Sequence, residues 1–114
     1  MNATKWNELR SAMMQEMPFR PPYSVKFLTD DHAEELTENS RPMDWHYAYS
    51  IDGVGFDCSY AIEWLKILPR YTRAKGALLP PEIISGEEEL KAVLKKYNIP
   101  YEERDGIYCV YGYK

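Results

Sequence analysis

The sequence contains little of what most catalytic and metal sites are made from. It has two histidines and two cysteines in 114 residues, and none of them stands in a spacing typical of a zinc site. Its apolar runs are short, and none approaches the roughly 20 residues that a transmembrane helix requires. The residues after Met1 lack the apolar core of a signal peptide. We therefore expect no metal, no cofactor and no membrane span, and we expect a cytoplasmic protein with reduced thiols.

The composition is that of a chain able to fold on its own. Hydrophobic residues make up 45% of the sequence and charged residues 28%. This balance is typical of a soluble globular protein and not of a disordered chain. A length of 114 residues is that of one ordinary domain. The sequence therefore predicts a single domain over residues 1–114.

Charge is distributed unevenly along the chain, whose formal net charge is −4. Residues 29–63 carry nine acids against Arg41 alone, a net charge of −8, whereas residues 64–81 carry four bases and no acid. The acidic balance is unfavourable for extended nucleic-acid binding, which needs many cations to neutralise phosphates. It favours attraction of a basic partner, although an acid-rich loop is equally what a well-solvated surface requires.

The N-terminal third predicts a helix, a strand and a loop. Apolar residues at three- and four-residue spacing indicate an amphipathic helix over residues 4–17, with Thr4 or Asn2 as its cap. Alternating apolar residues indicate a strand over residues 23–29. Residues 30–42, hereafter the acidic loop, are polar and are predicted to lie at the surface.

A hairpin is predicted in the middle of the chain. Alternating aromatic residues indicate a strand over residues 44–51, and the Asp52-Gly53 turn joins it to a partner strand over about 56–64. The apolar period slips near Trp64, which favours a β-bulge there. The residues around this point also fit one face of a helix, but isoleucines and aromatics favour a strand. Residues 70–81 are predicted to be a basic connection.

The C-terminal third predicts a helix followed by a second hairpin. Ser85 with Glu88 three residues later forms the pattern of a capping box, and an apolar stripe follows it. Residues 99–103 and 107–113 are predicted to pair through an Asp105-Gly106 turn. The last strand is apolar on both faces, which indicates a central position in the sheet. The fold class predicted from all these elements is α+β, with a largely antiparallel sheet of about five strands and two helices packed on one face.

Two groups of side chains allow an enzymatic or a dimeric alternative. Cys58 and His46 fall on neighbouring predicted strands and could form a nucleophilic pair, although a cysteine on an apolar face is more often buried and inert. The basic stretch, residues 66–75, could pair with the acidic residues 29–63 within one molecule or between two copies of a homodimer. Neither pattern is specific enough to define an activity.

Aromatic side chains are abundant, with ten tyrosines and three tryptophans. Such residues bury a large area at low entropic cost and are favoured at protein interfaces. They also suit an aromatic sheet face packed under helices, so that the sequence leaves both interpretations open.

The chain resembles known proteins in two respects. The stretches 62–65, 99–101 and 107–113 together resemble a pattern in small uncharacterised bacterial proteins, a likeness that covers the C-terminal half and implies a compact domain without a known activity. In its general type, as a small acidic domain rich in aromatics, the chain is similar to the immunity proteins that neutralise bacterial toxins by covering a basic surface.

These observations predict a non-enzymatic protein-binding domain, of the immunity type, that occludes a basic protein partner in stoichiometric fashion. Acidic side chains would steer and pair with the partner, while exposed aromatics would anchor the contact. The predicted partner-binding residues are Asp30, Asp31, Glu34, Glu35, Glu38, Trp45 and Tyr47.

Overall fold

A computed structural model of the chain describes residues 1–53 and 55–113. Helices and strands alternate irregularly along this part of the chain, which confirms the predicted α+β class. The helices and strands are α1 (Ala3–Gln15), β1 (Tyr23–Phe27), β2 (Ile62–Ile67), β3 (Arg70–Arg73), β4 (Glu82–Ser85), α2 (Glu87–Lys96), β5 (Glu102–Arg104) and β6 (Ile107–Tyr111). One turn of 3-10 helix, Ser59–Ala61, precedes β2.

The strands form two antiparallel sheets in the described residues. The larger sheet has the order β1-β2-β6-β5, so that the last strand is central, as predicted. β3 and β4 pair only with each other. Residues 70–81 were expected to be a connection without strands, and this expectation is wrong because Arg70–Arg73 pair with Glu82–Ser85. Tyr71 and Thr72 are residue types that favour a strand. Their pairing could not be predicted, because their partners Ile84 and Ile83 lie more than ten residues further along the chain.

The predicted bulge in β2 is confirmed. Lys26 pairs with Trp64 and Phe27 pairs with Ile62, so that Glu63 is the extra residue of β2. A one-residue insertion of this kind reverses the side-chain alternation on either side of it. This is why the apolar period of the sequence slips at that point.

Both helices pack on one face of the larger sheet. On that face Leu65 and Ile67 of β2 lie opposite Val110 and Tyr108 of β6, and all four are almost completely buried. They share one core with the buried faces of the helices, which contribute Trp6, Leu9, Ala12, Met13, Leu90, Val93 and Leu94. Because side chains alternate along a strand, Lys66, Ile107, Cys109 and Tyr111 lie on the opposite side. We call this second side the open face.

The sequence predicted the N-cap of α1 correctly and that of α2 incorrectly. The Asn2 side chain accepts a hydrogen bond from the Lys5 backbone N–H at 2.9 Å, which confirms one of the two predicted caps of α1. The predicted capping box of α2 is wrong, because Ser85 is the last residue of β4 and Gly86 is the N-cap. The pairing of β4 with β3 keeps Ser85 extended, which moves the start of the helix along the chain by one residue.

The hairpin predicted over residues 44–64 is wrong. Residues 46–49 form turns, in which the Ala48 N–H bonds to the Trp45 carbonyl at 3.2 Å and the Asp44 carboxylate accepts from the His46 N–H at 3.0 Å. An aspartate that bonds the backbone two residues on favours a turn over a strand. The partner strand begins only at Ile62, where it pairs with β1 and β6.

Two core tyrosines differ in their hydrogen bonding. The Tyr49 hydroxyl donates to the Trp6 carbonyl at 2.8 Å, and burial raises the pKa of Tyr49 well above its usual range. The Tyr108 hydroxyl is buried and makes no well-formed hydrogen bond among residues 1–53 and 55–113, although the Glu87 carboxylate lies near it. Burial, with the nearby charge of Glu87, raises the pKa of Tyr108 to about 12. A buried hydroxyl without a partner opposes folding, whereas one with a partner is close to neutral or favourable.

Replacement of these tyrosines by phenylalanine should therefore have opposite effects. We expect Tyr49→Phe to lower the free energy of unfolding by about 1 kcal/mol, because it removes a buried hydrogen bond to the Trp6 carbonyl. We expect Tyr108→Phe to be neutral or to raise stability by up to about 1 kcal/mol. Urea unfolding of the two variants beside the wild type measures both values. A Tyr108→Phe variant as unstable as Tyr49→Phe would contradict the assignment of an unsatisfied hydroxyl.

Candidate functional site

The acidic loop is tied to β1, the outermost strand on its side of the sheet, through a side chain on the open face of that strand. The buried Ser24 hydroxyl donates to the Glu34 carbonyl at 2.5 Å. At the far end of the loop the Met43 N–H bonds to the Arg20 carbonyl at 3.3 Å, and the Tyr23 hydroxyl donates to the Asp44 carbonyl at 3.2 Å. These bonds hold the loop backbone in a defined position.

The five predicted carboxylates of the acidic loop are all exposed. No ion pair involves any of them in the part of the chain that the structure describes, whereas several acids elsewhere in that part are paired. Glu82, for example, lies 2.8 Å from Arg73, and Glu16 lies 2.8 Å from Lys96. The structure therefore places five uncompensated negative charges on one anchored loop, Asp30, Asp31, Glu34, Glu35 and Glu38.

Of the two aromatic anchors that the sequence predicted, one is buried and the other is exposed. Trp45 was expected to be exposed, and this is wrong: its side chain is completely buried. Its indole N–H donates to the Pro21 carbonyl at 2.9 Å, and its ring lies 4.5 Å from the ring of Tyr23. Tyr47 is 46% exposed, on the turn 46–49. Among the described contacts of Tyr47 is a ring contact with His46, and none reaches the acidic loop.

Three exposed apolar residues lie beside the acidic loop, and the sequence patterns did not predict them as a site. Leu28, Tyr60 and Tyr113 are 54%, 72% and 62% exposed. The Leu28 N–H bonds to the carbonyl of Ala61, next to Tyr60, and the Tyr113 hydroxyl donates to the Tyr60 carbonyl. We call these three residues the apolar patch. In the sequence, Leu28 stands two positions before Asp30. This proximity was the one sequence feature that indicated a surface shared by apolar and acidic side chains.

A cleft of about 270 Å³ separates the acidic loop from the β3–β4 hairpin. Leu36 and Glu38 of the loop form one wall, and Leu68 and Ile107 are apolar lining residues, from the end of β2 and from β6. Asp105, in the β5–β6 turn, also lines it. We call this space the loop cleft. Its lining is mostly apolar with carboxylates on two sides, a combination that no spacing in the sequence indicates.

The open face carries a second hollow, of about 610 Å³, next to the loop cleft. Its lining includes Lys66, Glu102, Cys109 and Tyr111, which adjacent strands bring together. A hydrogen bond with the Cys109 sulfur raises the pKa of Tyr111 to about 12. The Tyr111 hydroxyl also donates to Glu102 at 3.2 Å. Cys109 is 8% exposed, so that its thiol is buried.

The whole chain, residues 1–114, matches the model of a family described as a family of unknown function, DUF6678. The chain belongs to this family. The predicted resemblance to an uncharacterised family is thus confirmed, and it extends over the entire chain and not only over the C-terminal half. No curated protein and no solved structure matches the chain.

The alternative of a Cys58–His46 nucleophilic pair gains no geometric support in this DUF6678 member. Cys58 is half-buried and His46 is exposed, and none of the described hydrogen bonds joins them. In residues 1–53 and 55–113 no three histidine, cysteine or acidic side chains are grouped as metal ligands would be. None of the described helices has the length and apolar character needed to cross a membrane.

Three of the four bases in the basic stretch pair with acids other than those predicted. Arg70 lies 3.0 Å from Glu87, and Arg73 and Lys75 lie 2.8 and 3.8 Å from Glu82. The idea that residues 66–75 pair with residues 29–63 inside one molecule is therefore wrong for these three bases. The strand pairing of β3 with β4 brings Glu82 beside Arg73 directly, and this long-range pairing is what the sequence did not show.

Proposed function

We propose that the chain is a non-enzymatic protein-binding domain that occludes a basic surface of a partner protein, as immunity proteins do with toxins. The observation that supports this most is the set of five exposed and unpaired carboxylates on the anchored acidic loop. A well-solvated surface does not need its charges held in one place, whereas a binding surface does. The resemblance to small bacterial proteins supports a bacterial cytoplasm as the setting.

The apolar patch would supply the binding energy that surface charges cannot. An exposed ion pair contributes about 0–1 kcal/mol, because both partners lose hydration and side-chain freedom. Aromatic and aliphatic groups at the centre of an interface contribute more, and charges around them steer the approach and select the partner. Leu28 stands two residues before Asp30 and bonds to Ala61, and Tyr113 bonds to the neighbouring Tyr60, so that one partner could cover the apolar patch and the start of the acidic loop. They take the role that the sequence pattern assigned to Trp45.

The proposal predicts that binding depends on the position of the negative charges and not only on their number. The test compares two variants of equal net charge: Asp31→Lys with Glu35→Lys on the acidic loop, and Glu8→Lys with Glu89→Lys on the two helices. Each tagged variant and the wild type are used to capture proteins from the native host at low salt. The captured partner is then purified, and its association rate with each variant is measured.

We expect one basic protein to be captured in equimolar amount by the wild type and by the helix variant, and to be lost from the loop variant. With purified partner, the loop variant should associate at least about tenfold more slowly at low salt, and the difference should shrink as salt rises. Equal association rates for the two variants, or the capture of no basic protein that depends on the loop, would overturn the proposal.

A further inference from the structure

The loop cleft is lined by carboxylates that have no ionic partner in the described residues. Glu38 and Asp105 both line it, from opposite elements, and neither takes part in any ion pair of residues 1–53 and 55–113. Asp105 lies outside the acidic loop, in the β5–β6 turn, so that the negative charge at this point comes from two separate parts of the chain. Two charges from separate elements define a place on the surface more closely than a charged loop alone.

Much of the remaining lining is apolar. Leu36, Leu68 and Ile107 contribute to the lining, and Leu68 is 6% exposed. A volume of about 270 Å³ is that of a small ligand or of one long side chain, and lies below most drug-sized pockets. An apolar channel with carboxylates at its sides fits a side chain that has an aliphatic stem and a cationic head.

One cation already lies in the lining, and its charge is compensated. The Arg70 guanidinium lies 3.0 Å from the Glu87 carboxylate. It also lies directly against the backbone of Gly106, where a β-carbon would overlap it. Arg70 is therefore held by Glu87 and Gly106, and it leaves Glu38 and Asp105 without an ionic partner among the described residues.

We propose that the loop cleft receives an arginine side chain of the partner protein. This inference rests on the proposed function and names the chemistry that one part of its surface recognises. A guanidinium carries five N–H donors in a rigid fork and can bond to two carboxylates at once, whereas a lysine ammonium acts as a compact and strongly hydrated charge. Arginine is also among the residues that contribute most to interfaces when their stems are buried.

The test uses a small probe and does not need the partner protein. N-acetyl-arginine amide is titrated into the folded protein while the methyl signals of Leu36, Leu68 and Ile107 are followed by NMR. N-acetyl-citrulline amide, which is neutral and nearly the same shape, is the control ligand, and N-acetyl-lysine amide tests the choice between the two cations. We expect saturable millimolar binding of the arginine probe at these methyl groups, and about tenfold weaker binding of citrulline and several-fold weaker binding of lysine.

Matched variants decide whether the cleft is the site. Glu38→Gln and Asp105→Asn should each weaken binding of the arginine probe about threefold, and together about tenfold. Asparagine suits position 105, where φ is 55°, because it tolerates left-handed backbone well. Glu35→Gln and Asp31→Asn make the same changes of charge outside the cleft and should have little effect. Equal losses for all four variants, equal binding of citrulline or lysine, or signal changes spread over the whole surface would overturn the assignment.

The arginine-site inference and the proposed function can fail independently, because they are tested at different residues. The partner capture rests on charge reversal at Asp31 and Glu35, which do not line the loop cleft. A partner that is captured through the acidic loop while the arginine probe fails would remove only this inference. A probe that binds in the cleft while no basic partner is captured would leave the cleft as a cation site and remove the proposed function.

Discussion

Replacement of Trp45 by alanine is expected to lower the free energy of unfolding by about 4 kcal/mol. The Trp45 side chain is completely buried, and it belongs to the same core as the helices and the larger sheet. Its loss removes the packing against Tyr23 and leaves a cavity. It also removes the indole N–H that donates to the Pro21 carbonyl. Urea unfolding, followed by far-UV circular dichroism, measures this change.

Tyr47→Ala is the matched control, since it changes an aromatic residue two positions away. Tyr47 is about half exposed, and its loss should change stability by no more than about 0.5 kcal/mol. If Trp45→Ala does not fold, Trp45→Phe keeps most of the packing, and should cost about 1–3 kcal/mol through the lost hydrogen bond. Similar small effects of Trp45→Ala and Tyr47→Ala would contradict the buried position and restore Trp45 as a candidate surface anchor.

The second large effect is expected at Gly112, where Gly112→Ala should lower the free energy of unfolding by about 3 kcal/mol. A β-carbon at this position would overlap the carbonyl oxygen of Ile62 in β2. The backbone cannot move away without loss of two bonds. The Gly112 N–H bonds to the Glu63 carbonyl at 2.9 Å, and the N-terminal ammonium donates to the Gly112 carbonyl at 2.6 Å. Overpacking against a backbone atom is not relieved by rotation of a side chain.

Gly55→Ala is the control for this prediction. A β-carbon on Gly55 would meet nothing within 4 Å, so that the substitution should be neutral or slightly stabilising. Thermal unfolding of both variants distinguishes the two cases. An unchanged melting temperature for Gly112→Ala would contradict this prediction, because it would show that the close approach of residue 112 to β2 does not contribute to stability.

Gly112 also connects the fold with the proposed binding surface. Its bond to Glu63 holds this segment of the chain beside β2, and Tyr113 then reaches the carbonyl of Tyr60. If Gly112→Ala folds but displaces this segment, we expect the exposure of Tyr113 and partner binding to change together. The apolar patch thus depends on a glycine outside it.

Local signals in the sequence determined the elements that are stabilised by neighbours in the chain. The helix α1 follows from its apolar spacing and the Asn2 cap. The last hairpin follows from Asp105-Gly106, where φ is 55° and 78°, because these are the residue types that tolerate left-handed backbone in a two-residue turn. The strand β1, the bulge in β2, the central position of β6 and the α+β class follow from the period of the apolar residues and the order of the elements, although their pairing partners are distant in the chain. The exposure of the acidic loop was also correctly predicted, since its carboxylates are costly to bury.

Only the tertiary structure decided what depends on distant parts of the chain. The pattern of residues 44–51 fits a strand, yet Trp45 and Tyr49 are buried through bonds to Pro21 and Trp6, so that a turn is the more stable choice. β2 pairs with β1 and β6, which lie dozens of residues away, and β3 pairs with β4 across a long connection. The apolar patch and the loop cleft each join residues from several elements. Periodicity reports which face of a segment is apolar, but it does not report which other segment covers that face, and in this protein the covering segments decide which side chains stay at the surface.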